Sequence, residues 1–193
     1  MIHSRLTLLP LALLLCGFTS FDRFADPETG LSIEPPNSFL LIDLADYSAQ
    51  STAKSSVGVY PHTTTDLANP PTPYCVLTLH EREDTEGKTQ DELNARMRDP
   101  ESIDALLGHF GQNFTMREDE AVSLDGVDGH QFTFAAPGPD AENHDYPVHV
   151  ATIFDTPPGR VTLACQTTNE TLTTDLVTLD LIRDNLSLPA ADK

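Results

Sequence analysis

Two segments ninety residues apart constrain this chain most strongly. Cys75–His80 and Arg160–Gln166 both alternate apolar and polar residues. One face of the first carries Cys75, Leu77 and Leu79, and one face of the second carries Val161, Leu163 and Cys165. Period-two alternation marks a strand with one buried side. Each strand therefore aims a cysteine at the face that a single sheet turns toward its covering helices. The two thiols are expected to approach each other in the core.

The third cysteine belongs to a different kind of segment. Arg5 precedes an apolar run, Leu6–Leu15, interrupted by Thr7 and Pro10, and Cys16-Gly17-Phe18-Thr19-Ser20 follows with small and polar residues. This is the three-part layout of a secretory signal, and the apolar run is too short to span a bilayer. The expected organisation is a signal over residues 1–20 and a single α+β domain over 21–193, with a Ser/Thr/Pro-rich connection at about 46–73. Cys16 is either removed, by cleavage between Gly17 and Ser20, or kept and acylated as a lipoprotein anchor. The apolar approach Leu13-Leu14-Leu15 fits acylation, but Leu15 stands where a small residue is expected. The location is accordingly periplasmic or secreted, or membrane-anchored through Cys16. Either processing leaves Cys75 and Cys165 as an even pair in an oxidising compartment, which points to a disulfide. Two separately buried thiols are the alternative.

Charge excludes some partners. Eleven Lys and Arg stand against 30 Asp and Glu, a formal charge of −19. Nucleic acid requires a basic footprint, and anionic lipid surfaces repel such a chain. No transmembrane span is expected.

The remaining segments read as strands and helices in a definite order. Leu31–Glu34 is a short strand stopped by Pro35-Pro36, and Phe39–Leu44 is the next. From Asp46 to Pro73 only Val57–Tyr60 looks strand-like, and most of that region reads as an exposed connection or irregular edge. Thr89 and Glu92 form a capping box for a helix through Met97. Asp99-Pro100 restarts it, with Ile103, Leu106, Leu107 and Phe110 on one face. Met116–Leu124 is a weak strand, and Asp125–Gly129 a turn. Strands follow at His130–Ala135, Pro147–Asp155 and Arg160–Gln166. A helix from about Thr174 carries Leu176, Leu179, Ile182 and Leu186 and stops at Pro189. This order predicts an α+β fold, an antiparallel sheet of about six strands covered by helices.

Several of these pieces resemble a known family. Gly30-Leu31-Ser32-Ile33 is followed by Pro35 and Phe39. Then come the mid-chain helix, the Val127-Asp128-Gly129 turn into an aromatic strand, the Val148–Gln166 hairpin and the closing amphipathic helix. The combination is similar to the PsbP-like α/β/α sandwich, including DcrB-type exported bacterial envelope proteins. The resemblance implies a non-enzymatic role as an extrinsic subunit, assembly factor, adaptor or envelope lipoprotein. It carries no site residues, because no site motif matches.

Candidate chemistry is sparse. His80-Glu81 begins like a zinc-protease HExxH, but Asp84 stands where the second histidine belongs. His144, Asp145 and His149 cluster at a strand start and read as surface residues rather than metal ligands. Glu81-Glu83-Asp84-Glu86 before Gly87 invites calcium, but Arg82 and Leu93 occupy positions where an EF-hand needs acids. No Gly-x-Ser-x-Gly elbow is present, and no cysteine has basic neighbours in sequence. No catalytic residue, metal ligand or cofactor is therefore assigned. The expected function is binding or assembly of another envelope protein. The alternatives are a small periplasmic hydrolase using paired acids and a calcium-stabilised secreted protein.

Overall fold

The computed structural model of the chain describes residues 20–44, 52–66, 70–110, 114–138 and 142–189. The proposed signal up to residue 19, Cys16 included, lies outside the described residues. So do 45–51 and 67–69 within the proposed connection.

Eleven strands and three helices follow one another in these segments. They are β1 (Ser20–Phe21), β2 (Phe24–Ala25), β3 (Ser32–Ile33), β4 (Phe39–Asp43), β5 (Ser55–Pro61) and β6 (Cys75–His80). After them come α1 (Gln90–Met97), α2 (Pro100–Phe110), β7 (Thr115–Leu124), β8 (Val127–Ala135), β9 (Pro147–Thr156) and β10 (Gly159–Thr168). The chain closes with α3 (Leu172–Asp184) and β11 (Leu186–Ser187). One large sheet has the order β1-β4-β5-β6-β10-β9-β8-β7, and a small one the order β11-β3-β2. Every pairing is antiparallel.

The large sheet joins a run β4-β5-β6, with β1 added at its edge, to the consecutive run β7-β8-β9-β10, where β10 returns to pair with β6. Tight turns make the second run. Asp125 and Gly126 both take positive φ, 52° and 83°, the type I′ geometry that matches strand twist. The turn thus needs only two residues, and β8 already begins at Val127. Between β9 and β10 the prolines 157 and 158 lead into Gly159 at φ 149°. A Cβ on Gly159 would stand 2.2 Å from the His80 carbonyl oxygen, so only glycine lets β10 come this close to the end of β6.

Alternation along the strands sends side chains to two cores. On one face Leu41, Val57, Val59, Leu77, Leu79, Phe154, Val161 and Leu163 pack under α3 (Leu179, Ile182) and the small sheet (Leu31, Ile33, Leu186). On the other, Phe132, Phe134, Ala151 and Ile153 pack under Met97 of α1 and Ile103 and Leu106 of α2. The sheet is therefore the middle layer of an α/β/α sandwich.

Helices α1 and α2 start as the sequence indicates. The Thr89 backbone N–H donates to Glu92 Oε2 at 2.8 Å, and the Glu92 N–H donates to Thr89 Oγ1 at 3.4 Å, completing the capping box. Asp99 Oδ2 accepts from the Ser102 N–H at 3.1 Å and from its hydroxyl at 2.7 Å, capping α2 ahead of Pro100. Glu92 accepts bonds from the Thr89 backbone and hydroxyl, which holds its carboxyl below the ordinary value.

Three expectations need correction. Within the connection at 46–73 the strand-like Val57–Tyr60 is present but longer than expected: β5 spans Ser55–Pro61, is buried over Ser55–Tyr60 and is hydrogen-bonded to β4 and β6, so this part is interior rather than exposed. The large sheet has eight strands where about six were expected; Ser20–Phe21 joins one edge unexpectedly, and the strand expected at Met116–Leu124 forms the other. Helix α3 ends at Asp184, and Leu186 pairs with Ile33 in the small sheet instead of continuing the helical stripe. Among the described residues no helix is long and apolar enough to cross a membrane.

Candidate functional site

Cys75 and Cys165 are register partners on β6 and β10. Their Cα atoms are 4.0 Å apart, and the side chains form a disulfide. The closeness follows from the sheet, because directly opposed residues of a non-hydrogen-bonded antiparallel pair approach nearest. The bridge marks one end of the sheet, where a groove opens.

This groove has a volume of about 740 Å³ and lies between the β5–β6 connection, the start of β9 and the end of β10. Thr63, Thr64, Thr65 and Thr72 line one side and Thr167 and Thr168 the other. Pro61, Pro71, Pro73 and Pro147 form stiff rims, since each ring locks its own φ. Gln166, Asp66 and Asp145 add amide and carboxylate groups. Tyr74 anchors the base. Its N–H donates to the Val59 carbonyl at 2.9 Å, and its carbonyl accepts from the Gln166 N–H at 3.0 Å. The Tyr74 ring stacks on Phe39 at 5.4 Å. Burial pushes its phenol well above the ordinary tyrosine value, and the Asp175 carboxylate it bonds to pushes the same way. The Thr167 hydroxyl also donates to Asp175 and lies 2.9 Å from Thr171 Oγ1. Helix α3 thus braces the groove floor from behind.

A second polar assembly lies at the opposite end of the β9–β10 hairpin. Asp155, with its side chain 1% exposed, receives Arg160 Nε at 2.7 Å and Nη2 at 3.0 Å, and Arg96 Nη2 at 2.6 Å. Arg96 Nη1 also reaches the Asp84 carboxylate at 3.2 Å, and Arg82 clasps that carboxylate through Nε and Nη2. The Arg82 clasp holds the Asp84 carboxyl below the usual carboxylate range. These five residues come from four parts of the chain, and sequence reading missed them. The available signal was Asp155 opposite Arg160 across a two-residue turn, where cross-strand partners face each other.

The residues singled out from sequence are dispersed. His149 stacks on Phe134 at 5.6 Å and meets Phe114 edge-on at 5.6 Å, while Asp145 lines the groove. His144 is exposed in the turn before β9. Of the acidic run before Gly87, Glu81 pairs with Lys54 at 2.9 Å and Asp84 with the arginines, while Glu83 and Glu86 are exposed. Asp119, in the acidic stretch of β7, lies 2.7 Å from His130 Nδ1. Among the described residues no three His, Cys, Asp or Glu side chains are grouped as metal ligands would be.

No family model matches the chain, and no curated protein sequence matches it. Solved structures do. The chain superposes on the solution structure of cyanobacterial PsbP (CyanoP) from Synechocystis sp. PCC 6803 with a TM-score of 0.50, covering 92% of this chain and 95% of that one. The fold is PsbP-like. At 12% identity the likeness concerns backbone architecture: the central antiparallel sheet with helices on both faces. That PsbP-like frame carries the Cys75–Cys165 bridge, the threonine-lined groove and the arginine–aspartate string.

Proposed function

We propose that this chain is an exported, non-enzymatic binding or assembly factor for another component of the cell envelope. The observation that carries the reading is the groove at the bridged end of the sheet. It is open, lined by hydroxyl, amide and carboxylate groups, and stiffened by prolines, the disulfide and α3. A preformed surface with spaced hydrogen-bonding groups binds without a large ordering cost, which is what recognition of a partner demands. The disulfide favours an oxidising compartment, in keeping with export.

Site-specific photo-crosslinking in native envelope tests this. A crosslinking residue in place of Gln166, exposed in the groove, should yield one discrete adduct. The same residue in place of Glu101, exposed on α2, should not. Adducts from both positions, or from neither, would sink the reading. A hydrolytic activity of the purified protein that is lost on substituting one acid pair would replace it with the hydrolase alternative.

A further inference from the structure

The chain is strongly acidic, with 30 Asp and Glu against 11 Lys and Arg. Three of its arginines nevertheless converge on one small cavity. Arg82 comes from the segment after β6, Arg96 from α1 and Arg160 from the start of β10. With Asp84, Asp155 and Ser102 they line a space of about 270 Å³ beside α2. Their charges alternate along a string: Arg82, Asp84, Arg96, Asp155, Arg160. The string begins and ends on a guanidinium, so one positive charge is left unmatched.

Neither carboxylate can supply the missing partner. Asp155 is held from two sides by Arg96 and Arg160, and both oxygens of Asp84 already face Arg82 or Arg96. Each terminal guanidinium uses Nε and Nη2 on its own aspartate, which leaves Nη1 for a further acceptor. The two ends are also close enough to feel each other's partners. Arg82 senses the charge of Asp155, and Asp84 that of Arg160. Both ends of the string therefore line the same cavity.

We infer that this cavity is a binding site for a single oxyanion of the phosphate class, bridged between Arg82 and Arg160. Guanidinium groups suit such oxyanions because their donors lie in a rigid plane and hold a permanent charge. The cavity takes the anion with room for water, whose own share of liquid volume is about 30 Å³. It lies at the far end of the β9–β10 hairpin from the threonine groove and does not depend on the function proposed for that groove.

The test is thermal unfolding of the purified protein in inorganic phosphate, against chloride at matched ionic strength. Phosphate should raise Tm saturably, because a ligand that binds only the folded state stabilises it. Arg82→Gln removes the two charge-assisted bonds to Asp84 at the exposed end and leaves Asp155 both of its partners, so it folds. It should weaken phosphate binding about tenfold or more. Arg160→Lys keeps the charge but loses the fork, and should weaken binding as well. A Tm rise equal to that in chloride, or equal in wild type and Arg82→Gln, overturns the inference. Neutral phosphatidylcholine vesicles separate the sources of the group. Sedimentation with vesicles that free phosphate competes away assigns a lipid headgroup. Saturable phosphate binding without vesicle binding assigns a soluble phosphate. Vesicle binding indifferent to both phosphate and Arg82→Gln counts against the site.

Discussion

Arg160 grips Asp155 through two donors, Nε at 2.7 Å and Nη2 at 3.0 Å, beside the turn of the β9–β10 hairpin. Because the Asp155 side chain is 1% exposed, its removal takes the carboxylate from Arg160 and leaves Arg96 with Asp84. Breaking a buried ion pair from one side costs about 3–5 kcal/mol. Both arginines retain some solvent contact, so Asp155→Ala should lower the unfolding free energy by about 3 kcal/mol. Arg82→Ala, at the exposed end of the string, should cost less than about 1 kcal/mol. Urea denaturation of both variants checks the contrast, and equal losses would contradict it.

The disulfide closes a loop with a sequence separation of 90. Chain entropy then assigns it roughly 4–5 kcal/mol. Reduction, or the double change Cys75→Ala and Cys165→Ala, should lower the guanidinium midpoint accordingly. The folded far-UV spectrum should persist, since Leu77 and Leu163 still pack on the same face. A midpoint unaffected by dithiothreitol would mean the bridge does not form.

His149 sits in an aromatic cluster with Phe114 and Phe134, and burial holds its imidazole below the ordinary value of 6.5. With the folded value below the unfolded one, the unfolded chain takes up the proton first. The contribution is therefore complete above pH 6.5 and declines as pH falls through the folded value. His149→Phe should flatten the loss of Tm between neutral and mildly acidic pH. Parallel Tm profiles for the two proteins would refute this.

Gly159 and Gly126 should respond oppositely to substitution. A Cβ at Gly159 meets the His80 carbonyl oxygen at 2.2 Å, in a backbone region that L residues avoid. Gly159→Ala should cost more than about 2 kcal/mol by forcing β10 from β6. Gly126→Asn keeps a residue that tolerates positive φ, and no atom lies within 4 Å of its Cβ position. It should cost under about 1 kcal/mol. Thermal melts of the two variants distinguish them.

Much of this architecture was legible because local and global signals agreed. Cys75, Leu77 and Leu79 alternate and are buried as alternation requires, and Thr89 with Glu92 starts α1 where the capping box indicates. The failures have physical causes. Ser55 and Ser56 look like loop residues, but they are buried at the start of β5, opposite Leu79 and Thr78 of β6. The strand expected at Met116–Leu124 is present as β7, and its charged run Arg117–Glu120 suits a sheet edge that faces water. Leu186 keeps helical spacing by chance and is claimed by Ile33. The groove carried no sequence signal, and of the arginine string only the Asp155–Arg160 pair across its turn carried one. Arg82, Arg96 and Arg160 share no spacing, and only the return of β10 to β6 gathers them.

That return has a mechanical meaning. Cys75 and Cys165 lock the one seam where the first run of strands meets the second. Tension applied at residues 20 and 189 would travel through the sulfur–sulfur bond and bypass everything between. Strands β1 to β5 and the α3 end of the chain would bear the load, while α1, α2 and the β7–β9 meander would be shielded from it. The arginine string lies wholly inside that shielded loop, and the groove straddles its boundary. A pull on this protein would deform the groove and leave the charge cluster untouched.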